Sequence, residues 1–309
     1  MTKRSLLITV DTELSNFPDG QGLWGRVGSE CWGLERMLDE FDALSVTATF
    51  FLDVYGRHEA DVTGQRRAAE LIQARGHDLQ LHTHPAPVFD PKKPRLRDYS
   101  LSEQAEVLCY GLDRVEQWTG HRPTLHRAGD WGADNHSLHA MASLGIQADF
   151  SASPWSPNCG IDHPSMQCNG WAHIDGLMCG LGTCFRDRLT GRIRRVDIGG
   201  TSFQEIIDVL SRHIDPFILT LHSFSLLRFD RGRTHFKGNA LYVRRLRELF
   251  CIASREHGYQ VKTAAEVVAE MQARSPGDLV ATPLPTTTLV TSTIGILKSI
   301  RGRLGSLAT

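Results

Sequence analysis

The sequence has no long hydrophobic run. None of its segments approaches the roughly 20 consecutive apolar residues that a membrane-spanning helix needs. The mainly apolar run Leu6–Val10 is also too short for the core of a secretory signal peptide, and Asp11 follows it directly. These absences argue against a membrane-spanning or secreted protein, and we expect a cytoplasmic location.

The sequence also has no regular cysteine spacing and almost no net charge. Its seven cysteines are an odd number and include no Cys-x-x-Cys pair, which argues against a disulfide framework and a structural zinc ribbon. The 34 basic and 35 acidic residues nearly balance, so the charge does not indicate a nucleic-acid partner. With an apolar share of 41%, the composition is typical of a globular protein.

What the sequence does contain is a regular alternation of strand-like and helix-like segments. The predicted strands are Leu6–Val10, Val46–Leu52, Asp78–His84, Thr124–Arg127, Ile146–Phe150, Pro216–Leu221 and Tyr259–Lys262. The predicted helices are Leu34–Leu44, Arg66–Arg75, Leu101–Thr119, Asp134–Leu144, Ser202–His213, Asn239–His257 and Ala264–Ala273. This alternation predicts an α/β fold, a distorted (β/α) barrel of about seven parallel strands. We expect one domain over residues 1–274, with loops and short hairpins at 155–200.

The composition changes after residue 274. Proline and threonine residues predict a linker there, followed by apolar residues at helical spacing beside Lys298, Arg301 and Arg303. Such a segment can form an amphipathic helix on a membrane surface or a partner. Its interior glycines oppose a helix by about 1 kcal/mol each. We therefore expect residues 275–309 to be a disordered, dispensable tail that makes at most weak contacts.

Two predicted strands end in polar pairs of the same design. Asp11 and Glu13 follow the first strand, and His82 and His84 end the third. Residues two apart on a strand face the same way, with Cα atoms about 6.6 Å apart, so the two imidazoles can share one metal ion. For a lone His-x-His pair, half-buried histidines bonded to neighbouring carbonyls are the better interpretation. Together the two pairs favour one site, in which His82 and His84 bind a divalent ion with Glu13 or Asp11.

Other predicted strand ends add polar residues to the same face. In a parallel barrel the loops after the strands form the active face. The ends of later predicted strands carry Arg127, with Asp130 and Trp131 just after it, then Asp149, and finally His222. Each has a structural alternative, such as pairing of Arg127 with a core carboxylate. Their recurrence at successive strand ends favours a catalytic site.

The order of these motifs resembles the polysaccharide deacetylases, the NodB-homology carbohydrate esterases, from about residue 5 to about residue 270. The segments that carry the resemblance are Ile8-Thr9-Val10-Asp11-Thr12-Glu13, Ala48-Thr49-Phe50-Phe51, Gly76-His77-Asp78 leading into His82-Thr83, His126-Arg127-Ala128-Gly129-Asp130-Trp131, Asp149-Phe150-Ser151 and Leu221-His222-Ser223. Two departures mark a divergent member. The family's paired aspartates are adjacent, whereas Thr12 separates the two acids here. The family's metal histidines usually stand four apart, but Ala86 occupies the second place, so His84 must substitute.

The resemblance implies a metal-dependent deacetylase that removes N-acetyl groups from an amino sugar or glycan precursor, within a single catalytic domain. It implies a carbohydrate substrate and one divalent metal ion, which we expect to be zinc. The alternatives are another metal-dependent amidohydrolase on the same barrel and a non-catalytic carbohydrate-binding relative.

The resemblance also assigns roles to individual residues. It gives the part of catalytic base to Asp11, of general acid to His222, and of the arginine that pairs with the base to Arg127. The metal ligands become Glu13, His82 and His84. Trp131, Asp130 and Asp149 are expected beside the substrate.

Overall fold

The computed structural model describes residues 3–14, 21–230, 235–273 and 281–305. The strands are β1 (Arg4–Thr12), β2 (Arg26–Val27), β3 (Glu30–Cys31), β4 (Thr49–Asp53), β5 (Asp78–Thr83), β6 (Leu125–Ala128), β7 (Ala148–Asp149), β8 (Cys168–Ile174), β9 (Leu177–Leu181), β10 (Cys184–Arg186), β11 (Ile193–Arg195), β12 (Phe217–His222), β13 (Leu227–Phe229), β14 (Phe236–Gly238), β15 (Tyr259–Lys262) and β16 (Ala281–Pro283). The helices are α1 (Gln21–Trp24), α2 (Leu34–Ala43), α3 (Glu59–Ala74), α4 (Leu101–Thr119), α5 (Asn135–Ser143), α6 (Phe203–Leu210), α7 (Ala240–Arg255), α8 (Ala264–Gln272) and α9 (Leu289–Gly305).

The main sheet has the order β12-β1-β4-β5-β6-β7-β9-β8-β16, and β15 also pairs with β1. From β12 to β9 each pair of neighbouring strands is parallel. After β9, the hydroxyl of Thr183 accepts a hydrogen bond from the amide of Ile218 in β12, at 2.7 Å. This contact links the two sides of the curved parallel sheet. The predicted distorted α/β barrel is therefore confirmed.

Strands in the centre of this sheet are buried on both faces, which is why their sequences read as nearly continuous apolar runs. In β1, Leu6 and Ile8 pack in the outer core that includes the helices, whereas Leu7 packs in the inner core. Helix α8 adds Val267 and Val268 to the inner core. The amide of Ala264, at the start of α8, donates to Thr49 at the beginning of β4. Helix α8 thus closes the amino end of the barrel and leaves the carboxyl ends of the strands open.

Helix α4 has the predicted bounds because both of its ends are encoded locally. Ser100 and Glu103 form a capping box, in which each side chain accepts a hydrogen bond from the other's backbone amide. Gly120 follows the last turn with φ of 70°, the left-handed conformation that glycine adopts without strain.

The C-terminal segment is where the sequence-based expectation is wrong. Residues 281–283 form β16, which pairs with β8 in the main sheet, and α9 packs on α6. Gly295, expected to oppose the helix, is instead buried at this contact, where an added Cβ would collide with Glu205. The Nζ of Lys298 donates to the carbonyl oxygens of Gly199 and Thr201 at 3.0 and 2.7 Å. The described part of the predicted tail therefore belongs to the domain. Within the described ranges, no helix is long and apolar enough to cross a membrane.

Candidate active site

The register of the parallel strands brings the predicted polar residues into one row at the open end of the barrel. Asp11 in β1 pairs with His222 in β12. On the other side, Asp53 in β4 pairs with His82 in β5, which in turn pairs with Arg127 in β6. Because parallel strands end at the same edge, this register gathers side chains that are far apart in the sequence.

Glu13, His82 and His84 form a compact cluster at this edge. One potential ligand atom from each of the three residues lies within 4.8 Å of the other two. The Oε2 atom of Glu13 is 2.6 Å from Nε2 of His84 and 3.5 Å from Nε2 of His82. The structure thus brings together the three residues predicted as metal ligands.

The tautomer of His82 suits metal binding. Its Nδ1 lies 2.8 Å from the carbonyl oxygen of Arg127, which can only accept, so Nδ1 carries the proton. Nε2, which lies 3.5 Å from Oε2 of Glu13, is therefore the nitrogen that is left to bind a metal. Metal-binding histidines usually have their second ring nitrogen engaged in this way, which fixes the ring. Two imidazole nitrogens and one carboxylate oxygen are the donors of a hydrolytic zinc site, which keeps one position open. The residues present therefore fit a divalent ion.

His84 is held by charge and by close packing. Burial on its own would lower the pKa of its imidazole, but the Glu13 carboxylate raises that pKa to about 10. Burial would likewise raise the pKa of Glu13, but His84 and His82 hold it well below its ordinary value. Without a metal, Glu13 and His84 thus form an ion pair. The face of the His84 ring lies against Gly129, where an added Cβ would be 2.5 Å from Cε1.

Asp11 forms a buried ion pair with Arg127. The Nη1 of Arg127 donates to Oδ1 of Asp11 at 2.6 Å, and its Nη2 donates to the hydroxyl of Thr9 at 2.9 Å. The guanidinium also lies 4.4 Å above the ring of Phe51. Burial would raise the pKa of Asp11, but Arg127, with His82 and His222, lowers it below the ordinary value. Asp11 is therefore a carboxylate at neutral pH, and its Oδ2 is free of Arg127.

His222 lies on the other side of Asp11. Its Nε2 is 4.0 Å from Oδ2 of Asp11, and 17% of its side chain is exposed. Its ring packs against those of Phe224 and Trp131, with centroids 4.9 and 6.1 Å apart. Burial lowers the pKa of His222, and this outweighs the opposite effect of Asp11. The imidazole is therefore neutral before substrate binds.

The three predicted substrate-binding residues are placed differently from one another. Trp131 is half-buried beside His222, and Asp130 is exposed. Asp149 is fully buried and accepts hydrogen bonds from Nδ1 of His126 and the hydroxyl of Ser151. The structure thus brings Trp131 and Asp130 to the open end of the barrel but not Asp149. Asp149 instead holds the side chain of His126 in the neighbouring strand β6.

Two features of the site were missed at the sequence level. Asp53, the last residue of β4, accepts hydrogen bonds from the amide of Tyr55 and from the side chain of Gln65. Burial raises its pKa, although His84 opposes this. The sequence could have indicated Asp53, because this residue comes at the end of an apolar strand just as Asp11 does. The second feature is Arg195, which lies beside Trp131. This contact depends on how distant loops pack, so no sequence pattern near Arg195 predicts it.

Comparisons with known proteins found one family model and several similar folds. Residues 17–148 match the family model described as polysaccharide deacetylase, a range that includes both candidate metal histidines. No curated protein sequence matches the chain. Among solved structures, a protein of Mycobacterium smegmatis described as a polysaccharide deacetylase has 18% identity and a TM-score of 0.54, over 93% of this chain and 96% of that one. This likeness shows a shared fold.

Two further solved structures are similar at lower scores. A family 4 carbohydrate esterase from Streptomyces lividans, in complex with acetate, has 10% identity and a TM-score of 0.48, over 91% of this chain and 98% of that one. A CE4-family pseudoenzyme from Bacillus anthracis has 14% identity and a TM-score of 0.49, over 86% and 66%.

Proposed function

We propose that this chain, whose residues 17–148 match the polysaccharide deacetylase family model, is a divergent member of that family and a metal-dependent hydrolase that removes N-acetyl groups from an amino sugar or a glycan precursor. The observation that carries the proposal is the meeting of Glu13, His82 and His84 in one cluster. Directly beside that cluster, Arg127 holds Asp11 as a carboxylate.

Glu13 and the Nε2 atoms of His82 and His84 would hold the divalent ion, which we expect to be zinc. When bound, such an ion activates a water molecule and polarises the acetyl carbonyl. The hydrogen bond from His82 to the carbonyl of Arg127 keeps one ligand oriented. Contact between His84 and Gly129 orients the other.

Asp11 is the general base in this proposal. Its Oδ1 is bonded to Arg127, which leaves Oδ2 to accept a proton from the attacking water. The buried guanidinium keeps Asp11 ionised at neutral pH, because its positive charge favours the carboxylate over the acid. A base that is charged before the reaction can act without a prior loss of its own proton.

His222 is the general acid in this proposal. The departing amine must gain a proton, and Nε2 of His222 lies 4.0 Å from Oδ2 of Asp11, a separation across which one water molecule can relay a proton as charge develops. Because the imidazole is neutral before substrate binds, it first takes up the proton that Asp11 removes from water and then delivers that proton to the amine. The half-buried indole of Trp131, next to His222, offers an apolar face for the sugar ring.

The test is acetate release by the zinc-loaded protein from N-acetylglucosamine oligosaccharides, with bound zinc measured in parallel. A His82→Ala/His84→Ala double variant is expected to lose both stoichiometric metal and activity. A matched double variant, His136→Ala/His139→Ala, replaces two exposed histidines of α5 and should retain both. Circular dichroism verifies that each variant is folded.

Two results would contradict the proposal. A folded wild-type protein that purifies without metal and does not take up zinc would favour a carbohydrate-binding relative. Stoichiometric metal without acetate release from any N-acetyl sugar would favour a different amidohydrolase on the same barrel.

A further inference from the structure

A positively charged aromatic cluster borders the proposed active site on the His222 side. We define the Arg195 cluster as Arg195, Trp131 and Trp155. The guanidinium carbon of Arg195 lies 4.6 Å from the ring centroid of Trp131 and 4.8 Å from that of Trp155. The two indoles meet edge to face at 4.6 Å, and Trp131 also contacts His222. The cluster thus continues the site outward from the proposed general acid.

Arg195 is held in place by its own segment of the chain. Its Nε donates to Oδ2 of Asp197 at 3.2 Å, and its carbonyl accepts from the hydroxyl of Thr201 at 2.9 Å. The other oxygen of Asp197 accepts from the backbone amide of Gly199 at 2.8 Å. Lys298 of α9 fixes the same turn through the carbonyls of Gly199 and Thr201. The guanidinium is therefore positioned before any ligand arrives, which lowers the entropy lost on binding.

The hydrogen-bonding capacity of Arg195 is only partly used. A guanidinium has five N–H donors, and within the described residues Asp197 engages its Nε. The Nη1 atom is buried and has no hydrogen-bond partner among the residues that the structure describes. Contact with the indole faces offsets part of the free-energy cost of burying the guanidinium charge. It does not provide hydrogen-bond acceptors for the N–H groups of Arg195. The side chain keeps 23% of its surface exposed, so a ligand can reach it.

These observations point to a substrate with a negative charge. We propose that Arg195 binds an anionic group, a carboxylate or a phosphate, carried by the amino sugar whose N-acetyl group is cleaved. A guanidinium donor forms a charge-assisted hydrogen bond with either anion. Trp131 contacts both His222 and Arg195. If the sugar packs on this indole, its N-acetyl group would lie on the His222 side and its anionic group on the Arg195 side. The choice of an amino sugar rests on the proposed function, whereas binding of the anion can be tested without turnover.

The test measures binding by calorimetry to the zinc-loaded protein, with three probes that share an N-acetylated ring. N-acetylglucosamine is neutral, N-acetylmuramic acid carries a carboxylate, and N-acetylglucosamine 1-phosphate carries a phosphate. Arg195→Met keeps an unbranched side chain against the indoles and removes the charge. Arg192→Met is the matched control, because Arg192 is an exposed arginine of the same segment. We expect Arg195→Met to weaken binding of the preferred charged probe about 10- to 100-fold, as loss of a charge-assisted hydrogen bond predicts.

The neutral probe and the Arg192→Met variant should show unchanged binding. Which charged probe binds more tightly to the wild type identifies the anion as carboxylate or phosphate. Equal loss for the neutral and charged probes would overturn the proposal, since Arg195 would then merely support the indoles. Wild-type binding that does not favour either charged probe over the neutral one would also overturn it. Arg195-dependent binding without any acetate release would contradict the proposed hydrolysis and leave the anion site standing.

Discussion

Replacing Gly129 by alanine tests whether His84 is a metal ligand. Gly129 follows β6, and the ring of His84 lies directly against its Cα. A Cβ at this position would be 2.5 Å from Cε1 and 2.6 Å from both ring nitrogens of His84. Ordinary contacts of a Cβ begin at 3.4 Å, so the ring would have to move by about 1 Å. The backbone of Gly129 is outside the left-handed region, so alanine adds no backbone strain of its own.

A movement of this size is large compared with what metal coordination tolerates. Distances from metal to ligand hold to within about 0.2 Å, so a ring displaced by about 1 Å no longer binds well. Changes to groups that orient a metal ligand typically cost about 10- to 100-fold in metal affinity. We expect Gly129→Ala to weaken zinc binding by that factor. His82 and Glu13 should still hold a weakly bound ion.

Competition with a chromophoric chelator measures the zinc dissociation constant of each variant. Gly182→Ala is the matched control, because a Cβ on Gly182 meets no atom within 4 Å. Thermal melting in the presence of a chelator shows whether the metal-free variants remain equally stable. If folded Gly129→Ala binds zinc as tightly as the wild type, either His84 is not a ligand or its ring has room to rotate, and the reasoning from this contact fails.

Three further predictions follow from the same contacts. His222→Ala should reduce turnover about 10²- to 10⁴-fold while zinc content, measured by mass spectrometry, stays unchanged; near wild-type turnover would assign His222 a structural role. Because the pKa of His84 is about 10 in the metal-free site, a proton competes with the metal at neutral pH. Raising the pH removes this competitor, so the apparent zinc affinity should rise about tenfold per pH unit between about pH 7 and pH 9, and a flat profile would argue against His84 as a ligand. Lys298→Met removes two hydrogen bonds to carbonyls and should lower the free energy of unfolding by about 1–3 kcal/mol in urea denaturation, whereas an unchanged midpoint would mean that α9 adds little to the domain.

The features that were predictable from the sequence depend on short-range rules. Strand alternation alone places His82 and His84 on one face, and the structure has them there with ring centroids 4.9 Å apart. Capping chemistry at Ser100 and Gly120 sets the bounds of α4. The role of Asp11 was harder to assign, since its partner Arg127 is distant in sequence and the two meet only through strand order.

The features that the sequence did not reveal depend on packing between distant segments. Gly295 reads as a helix breaker in isolation, but in the structure its missing side chain lets α9 approach Glu205 on α6. Arg195 lies in a basic run that reads as a solvated surface, yet it packs on two indoles from other loops. Neither contact leaves a periodic or local pattern, because each depends on where a second segment comes to lie.

The two departures from the family pattern compensate for each other in space. An acid at position 12 would face away from the site, since Thr12 alternates with Asp11 and its hydroxyl bonds back to the carbonyl of Val10. Moving the acid to Glu13 returns it to the inner face, and its longer side chain reaches His84 at 2.6 Å. Moving the second histidine to position 84 likewise keeps it on the face of His82. Glu13 and His84 therefore meet on the inner face, and their contact supports the proposed metal site.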